Sequence, residues 1–126
     1  MALIIVCDAR PEPNEGGRIT ASLRGMGITV DFYTGGPKFL EAAVAGLPAV
    51  VVYALSDELE TDLGVLRLLR RMQPDVEIVL LADHTSLTTR VAAHPLRPMY
   101  CSVGPLDPAE VTGIVQAALR RRERLG

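Results

Sequence analysis

The chain has 126 residues, enough for one domain, with 48% hydrophobic residues and only 4% aromatic ones, so its core is aliphatic. A formal net charge of −2 argues against nucleic acid as a partner of the domain as a whole. Its apolar runs are as short as Leu3 to Cys7, so no segment is expected to span a membrane.

The opening "MALIIVCDAR" has no basic stretch before its apolar run and reaches Asp8 too early for a secretory signal. Its two cysteines, Cys7 and Cys101, lie in strand-like runs and are expected to be reduced, buried thiols of a cytoplasmic protein. The first strand is predicted over Leu3 to Asp8, followed by the Pro- and Glu-rich loop "ARPEPNEGG". Ile19, Leu23 and Met26 recur at helical spacing, and Gly25 and Gly27 close that first helix. "ITVDFY" reads as the second strand. Phe39, Leu40, Ala43, Val44 and Leu47 mark a second helix, ended by Gly46 and Pro48.

"LPAVVVYALSDE" is the third strand and its exit loop. Its unbroken valines lack polar alternation, so both faces should be covered. Leu59, Leu63, Leu66 and Leu69 predict a third helix from Leu59 to Met72, stopped by Pro74. The fourth strand, "VEIVLLAD", should be buried from Ile78 to Ala82. A short fourth helix is predicted over Ser86 to His94, cut by Pro95 and Pro98. "MYCSV" is the fifth strand. "DPAE" then gives the clearest helix start in the chain, with Asp107 as N-cap, Pro108 at the first helical position and Glu110 three residues after the cap. The last helix turns Val111, Ile114, Val115, Ala118 and Leu119 inward and ends in arginines that suit its C-terminal dipole. Strands alternating with helices imply right-handed βα units and a five-stranded parallel α/β sheet covered on both sides, over residues 1–126 as one domain. Ligands of such sheets bind at the carboxyl ends of the strands.

Those ends carry Cys7-Asp8, Tyr53-Ala54, Ala82-Asp83-His84 and Ser102-Val103-Gly104-Pro105. Together with "LIIVCDA", "GITVDFYTGG", "LPAVVVYAL", "LGVLRLLRRMQPDVEIVLLAD" and "GPLDPAEVTGIVQAALRRR", they resemble the receiver domain of two-component response regulators from Leu3 to about Arg122. The resemblance implies a flavodoxin-like doubly wound sheet of strand order 2-1-3-4-5. It also implies phosphoryl transfer to an aspartate ending strand three, a pair of acids ending strand one that helps hold Mg²⁺, a hydroxyl ending strand four and a lysine before proline ending strand five.

Carried over position by position, the first acid falls on Cys7 and only the second, Asp8, remains. The acceptor falls on Ala54, or on Tyr53 if the strand shifts by one. The hydroxyl falls on Ala82 and the lysine on Gly104. Aspartyl phosphorylation needs a carboxylate nucleophile, a divalent cation and donors for the phosphoryl oxygens, and Asp8 alone makes a poor Mg²⁺ site. The expectation is therefore a degenerate, phosphorylation-independent pseudo-receiver: not an enzyme, without cofactor or metal. By resemblance to how receivers dimerise or touch partners, it is expected to act in bacterial signalling as a protein-interaction or dimerisation module through helix four, strand five and helix five. Pro95, Arg97, Tyr100, Cys101, Leu106 and Val111 would form that surface.

Bland readings stand beside the functional ones. Asp8 is read as a strand-end polar residue rather than a residual ligand, and Glu12 and Glu15 as solvated loop acids. Gly16-Gly17-Arg18 is read as loop flexibility, and Asp57 as a helix-start acid. For Tyr53 two readings stand level: a plug in the phosphoryl space, or a half-buried strand tyrosine. His84 and His94 lack metal-ligand spacing. The competing function is an atypical receiver still phosphorylated on Asp57 or Asp8. A nucleotide-binding enzyme of the same fold would want a glycine-rich first loop, where this chain has acids.

Overall fold

The computed structural model describes residues 4–12, 14–82, 87–103 and 107–125. Five strands, β1 (Ile4–Asp8), β2 (Val30–Tyr33), β3 (Val50–Ala54), β4 (Glu77–Ala82) and β5 (Tyr100–Val103), form one sheet of order β2-β1-β3-β4-β5, parallel throughout. This is the flavodoxin-like α/β arrangement that the sequence led us to expect.

Strand parity divides the core in two. Ile5, Cys7, Val51, Tyr53, Ile78, Leu80 and Ala82 face one layer, formed by α2 (Gly36–Gly46), α3 (Leu59–Met72) and α4 (Leu87–Ala93) with a 3-10 turn at His94–Leu96. Ile4, Val6, Val50, Val52, Ala54, Val79 and Leu81 face α1 (Asn14–Gly25) and α5 (Pro108–Leu125). The central strands β1 and β3 are buried along their whole length, as the unbroken apolar runs require. β4 is buried from Ile78 to Ala82, and only its first residue, Glu77, is partly exposed.

α3 matches its predicted bounds because four leucines at helical spacing leave its face unambiguous: Leu63, Leu66 and Leu69 are fully buried. Two predicted core residues lie elsewhere. Met26 sits beyond the end of α1, in the turn that Gly27 allows with φ 80°, and is exposed. Leu47 is the left-handed C-cap of α2, with φ 48°, and is 71% exposed. In both cases the apolar period runs on past the residue that ends the helix.

At the start of α5, Asp107 Oδ1 accepts the Ala109 N–H at 3.0 Å, so the predicted cap forms. Glu110 does not reach back to complete a capping box; it accepts the Tyr100 hydroxyl at 2.6 Å. Val111, expected both inside the helix and on an interaction surface, is only 1% exposed and packs in the core. It is removed from the surface. No helix among the described residues is long and apolar enough to cross a membrane.

Candidate functional site

At the carboxyl ends of the central strands, Cys7 pairs with Tyr53 and Asp8 with Ala54 across β1 and β3. The sequence-predicted site residues of these two strands thus meet, split between the two faces. Asp8 and Ala54 share the α1/α5 side; Cys7 and Tyr53 share the α2/α3 side, together with Ala82. Ala54 and Ala82 are buried methyl groups with no chemistry to offer. Gly104, Pro105, Asp83 and His84 lie outside the described residues, as does Leu106 of the expected interaction surface.

Asp8 is wholly buried, and its carboxylate is already engaged. Arg10 closes a fork on it: Nε donates to Oδ1 at 2.9 Å and Nη2 to Oδ2 at 2.9 Å, and the Arg10 backbone N–H adds a bond to Oδ1 at 3.1 Å. The Gly16 N–H donates to Oδ2 at 3.1 Å. A carboxylate has about four acceptor positions, and four N–H donors now fill them. Arg10 Nη1 continues to Glu15 Oε2 at 3.1 Å, so one guanidinium bridges the strand end and α1. The Arg10 side chain is itself 10% exposed, which makes its pair with Asp8 a buried one.

The position of Gly16 depends on having no side chain. A Cβ there would meet Asp8 Cβ at 2.7 Å and Phe32 Cε1 at 2.9 Å. Gly16 therefore serves close approach of α1 to the strand end, not loop flexibility. Glu15, taken as a solvated loop acid, is part of α1 and of the ionic bridge.

The other side of the strand ends holds a second buried network. Tyr53 is fully buried rather than half-buried, and its ring meets Phe39 edge-on with centroids 5.3 Å apart. Its hydroxyl donates to Asp62 Oδ1 at 2.9 Å. The other carboxylate oxygen of Asp62 accepts the Ser56 N–H at 2.7 Å and the Ser56 hydroxyl at 2.8 Å. Tyr53 thus ties β3 to the first turn of α3 and faces away from the side Ala54 shares with Asp8; it does not plug the phosphoryl space. Burial first, and then the charges of Asp62 and Asp8, push the Cys7 thiol up from 9.0 to about 12. Burial is also the main reason the Tyr53 phenol rises from its ordinary 10.0, followed by Cys7 and Asp62.

This chemistry does not suit the Mg²⁺ that the receiver resemblance implies. That ion wants several hard oxygen ligands in a tight octahedron. Cys7 is a neutral thiol, and Asp8 has its lone pairs taken by nitrogen donors. Among the described residues, no three acidic, histidine or cysteine side chains are grouped to hold a metal ion. Asp57 is exposed in the β3–α3 loop and, with Arg10, Glu12, Glu15 and Ser56, lines an open cleft of ≈ 420 Å³ above these ends.

Solved structures with the same architecture decide the fold. A CheY-like response regulator receiver domain from Methanospirillum hungatei superposes with a TM-score of 0.85 over 100% of this chain and 99% of its own, at 13% identity. The chain has the fold of a response-regulator receiver domain. A chemotaxis response regulator of Vibrio cholerae shares this receiver fold at TM-score 0.79 and 17% identity, covering 94% of this chain and 98% of its own. A response regulator of Burkholderia pseudomallei, described with a phosphorylated aspartic acid and a calcium ion, matches at TM-score 0.78 and 19% identity, covering 100% and 74%. No protein-family model matches the chain, and no curated protein matches it in sequence.

Three residues of the receiver-fold site escaped the sequence reading. Arg10 looked like the start of a loop. Gly16 lay in a Gly-Gly pair whose helical setting was not recognised. Asp62 had a visible signal: it follows Leu59 by three and precedes Leu66 by four, which puts it on the apolar stripe of α3.

Proposed function

We propose that this chain is a phosphorylation-independent pseudo-receiver, a receiver fold kept as a protein-interaction or dimerisation module in bacterial signalling and not as an enzyme. The observation that carries the reading is the Arg10 guanidinium clasped on Asp8 beside Ala54. A permanent cation inside the fold takes up Asp8, the acid on the Ala54 side of the strand ends, and Ala54 itself has no nucleophile. A phosphoryl group arriving there would find neither a carboxylate to join nor an exchangeable metal to screen it. The Burkholderia structure, with its phosphorylated aspartic acid and calcium ion, illustrates the chemistry that this chain's residues do not supply.

The surface we assign to partners is α4, β5 and α5, with a second copy as the simplest occupant. β5 is an edge strand, and Pro95 and Arg97 are exposed beside it, while Tyr100 and Cys101 are half-buried. A groove of ≈ 670 Å³ runs along this face past Arg97, Pro98, Met99 and Cys101. Sedimentation velocity across a concentration series, with and without Mg²⁺ and a small phosphoryl donor, tests the reading. Association that is unchanged by the donor and weakened by Pro95→Glu is the expected result. Association that appears only with the donor would refute phosphorylation independence, and a monomer at every concentration would remove the self-partner.

A further inference from the structure

A second cleft, of ≈ 610 Å³, opens at the opposite pole, where the chain enters β4. Six of its eight lining residues are charged: Arg70, Arg97, Arg121 and Arg122 against Asp75 and Glu77. Helix dipoles account for arginines near the C-termini of α3 and α5. They do not account for Arg97, which lies outside both helices.

Arg70 builds the cleft. Its guanidinium donates to the carbonyls of Leu96 at 2.9 Å, Pro74 at 2.9 Å and Val76 at 2.7 Å. Arg122 Nη1 donates to the Asp75 carbonyl at 2.9 Å. Arg121 lies 3.7 Å from Glu77 and is largely exposed, a weak pair. The Arg97 guanidinium has no hydrogen bond or ion pair among the described residues, yet its backbone holds the left-handed conformation, φ 51° and ψ 53°, that glycine or asparagine adopts more readily. The left-handed backbone is that of a C-cap, its N–H donating to the His94 carbonyl at 3.0 Å, so what capping leaves unexplained is the unpaired Arg97 guanidinium beside the half-buried Arg70. Burial, and next the charge of Arg97, lowers the Arg70 guanidinium from its ordinary value, against the opposing charges of Glu77 and Asp75.

We propose that this cleft is a binding site for a small anion carrying two or more phosphates, held chiefly by the Arg97, Arg121 and Arg122 guanidiniums. Their planar forks match phosphate oxygens in pairs. The volume lies within the ~300–1,000 Å³ of small-ligand sites. A protein partner is a poorer fit, because the cores of protein interfaces are depleted in charge and enriched in aromatic residues, and this lining is mostly charged with no aromatic residue. The site lies at the far end of the strands from Asp8 and Ala54, so it is no remnant of phosphoryl transfer. Arg97 and Arg121 also line the groove of the α4–β5–α5 face, so anion binding there should compete with self-association through that face.

The experiment is calorimetric titration of the full chain with inorganic pyrophosphate, paired with thermal melts. Saturable one-site binding with a rise in Tm is expected. Arg97→Gly should weaken binding at least tenfold while melting higher than the parent, because glycine relieves the backbone; Arg97→Asn repeats the test should glycine fail to fold. Arg122→Gln should weaken binding, and Arg67→Gln, an exposed arginine of α3 outside the cleft, should leave it unchanged. Retained affinity in Arg97→Gly, equal loss in Arg67→Gln, or tighter binding of a short single-stranded oligonucleotide than of pyrophosphate would each overturn the assignment.

Discussion

Arg10 and Asp8 form a closed structural contact at the end of β1. An aspartate carboxylate buried at a strand end needs a counter-charge, and here the chain supplies its own, two residues on. Removing one partner of a buried pair leaves the other uncompensated, typically a loss of about 3–5 kcal/mol. Arg10→Ala should therefore lower unfolding free energy in urea by that order, and adding Asp8→Asn should restore part of it. A loss under about 1 kcal/mol in the single variant would mean the pair is solvated. Gly16→Ala should cost about 1–3 kcal/mol by driving a methyl into Asp8 and Phe32, seen in the same titration. Neither role was legible in advance. "ARPEPNEGG" carries turn residues and acids in a pattern that fits a solvated loop, and nothing local reveals that the chain doubles back to set Glu15 and Gly16 over Asp8. Tyr53 was partly legible, since strand parity alone sends it to the opposite face from Ala54.

At the scale of elements, what the sequence states well is which face is buried, and what it states poorly is where a helix stops. The leucines of α3 fixed both, because Pro74 follows soon after the last turn. Leu66→Ala should cost about 2–5 kcal/mol, and Leu68→Ala, on the exposed side, about 0.5 kcal/mol or less, by equilibrium denaturation. In α2 the apolar spacing continues through Gly46 to Leu47, so the period counted a cap residue as core. The φ of 48° explains the outcome: the helix has already turned left-handed, and the side chain points to water. Leu47→Gly should accordingly stabilise the protein by about 1 kcal/mol, read as a higher urea midpoint with an unchanged slope. The start of α5 was read correctly at Asp107, but Glu110 found a different donor in the Tyr100 hydroxyl, a contact set by the packing of α5 beside β5.

For the whole molecule, alternating strands and helices were readable from periodicity, and the strand order from the resemblance to receiver domains. The buried contacts at the strand ends depend on pairings between elements and were hidden. The Cys7–Tyr53–Asp62 network also sets a pH dependence. Cys7 and Tyr53 both hold their protons more tightly folded than unfolded, so their contribution is complete below the unfolded thiol value of 9.0 and is lost as pH rises toward about 12. Stability should fall by up to about 1.4 kcal/mol per pH unit for each group in that window. Denaturant titrations at stepped alkaline pH should show this slope, and Cys7→Ala should flatten it.

We propose that no residue of this receiver fold takes up a phosphoryl group. Intact mass after incubation with Mg²⁺ and a small phosphoryl donor addresses it directly. An unchanged mass is predicted, for the parent and for Arg10→Ala alike; gain of one phosphoryl group by the parent, abolished in Asp57→Asn or Asp8→Asn, would contradict it.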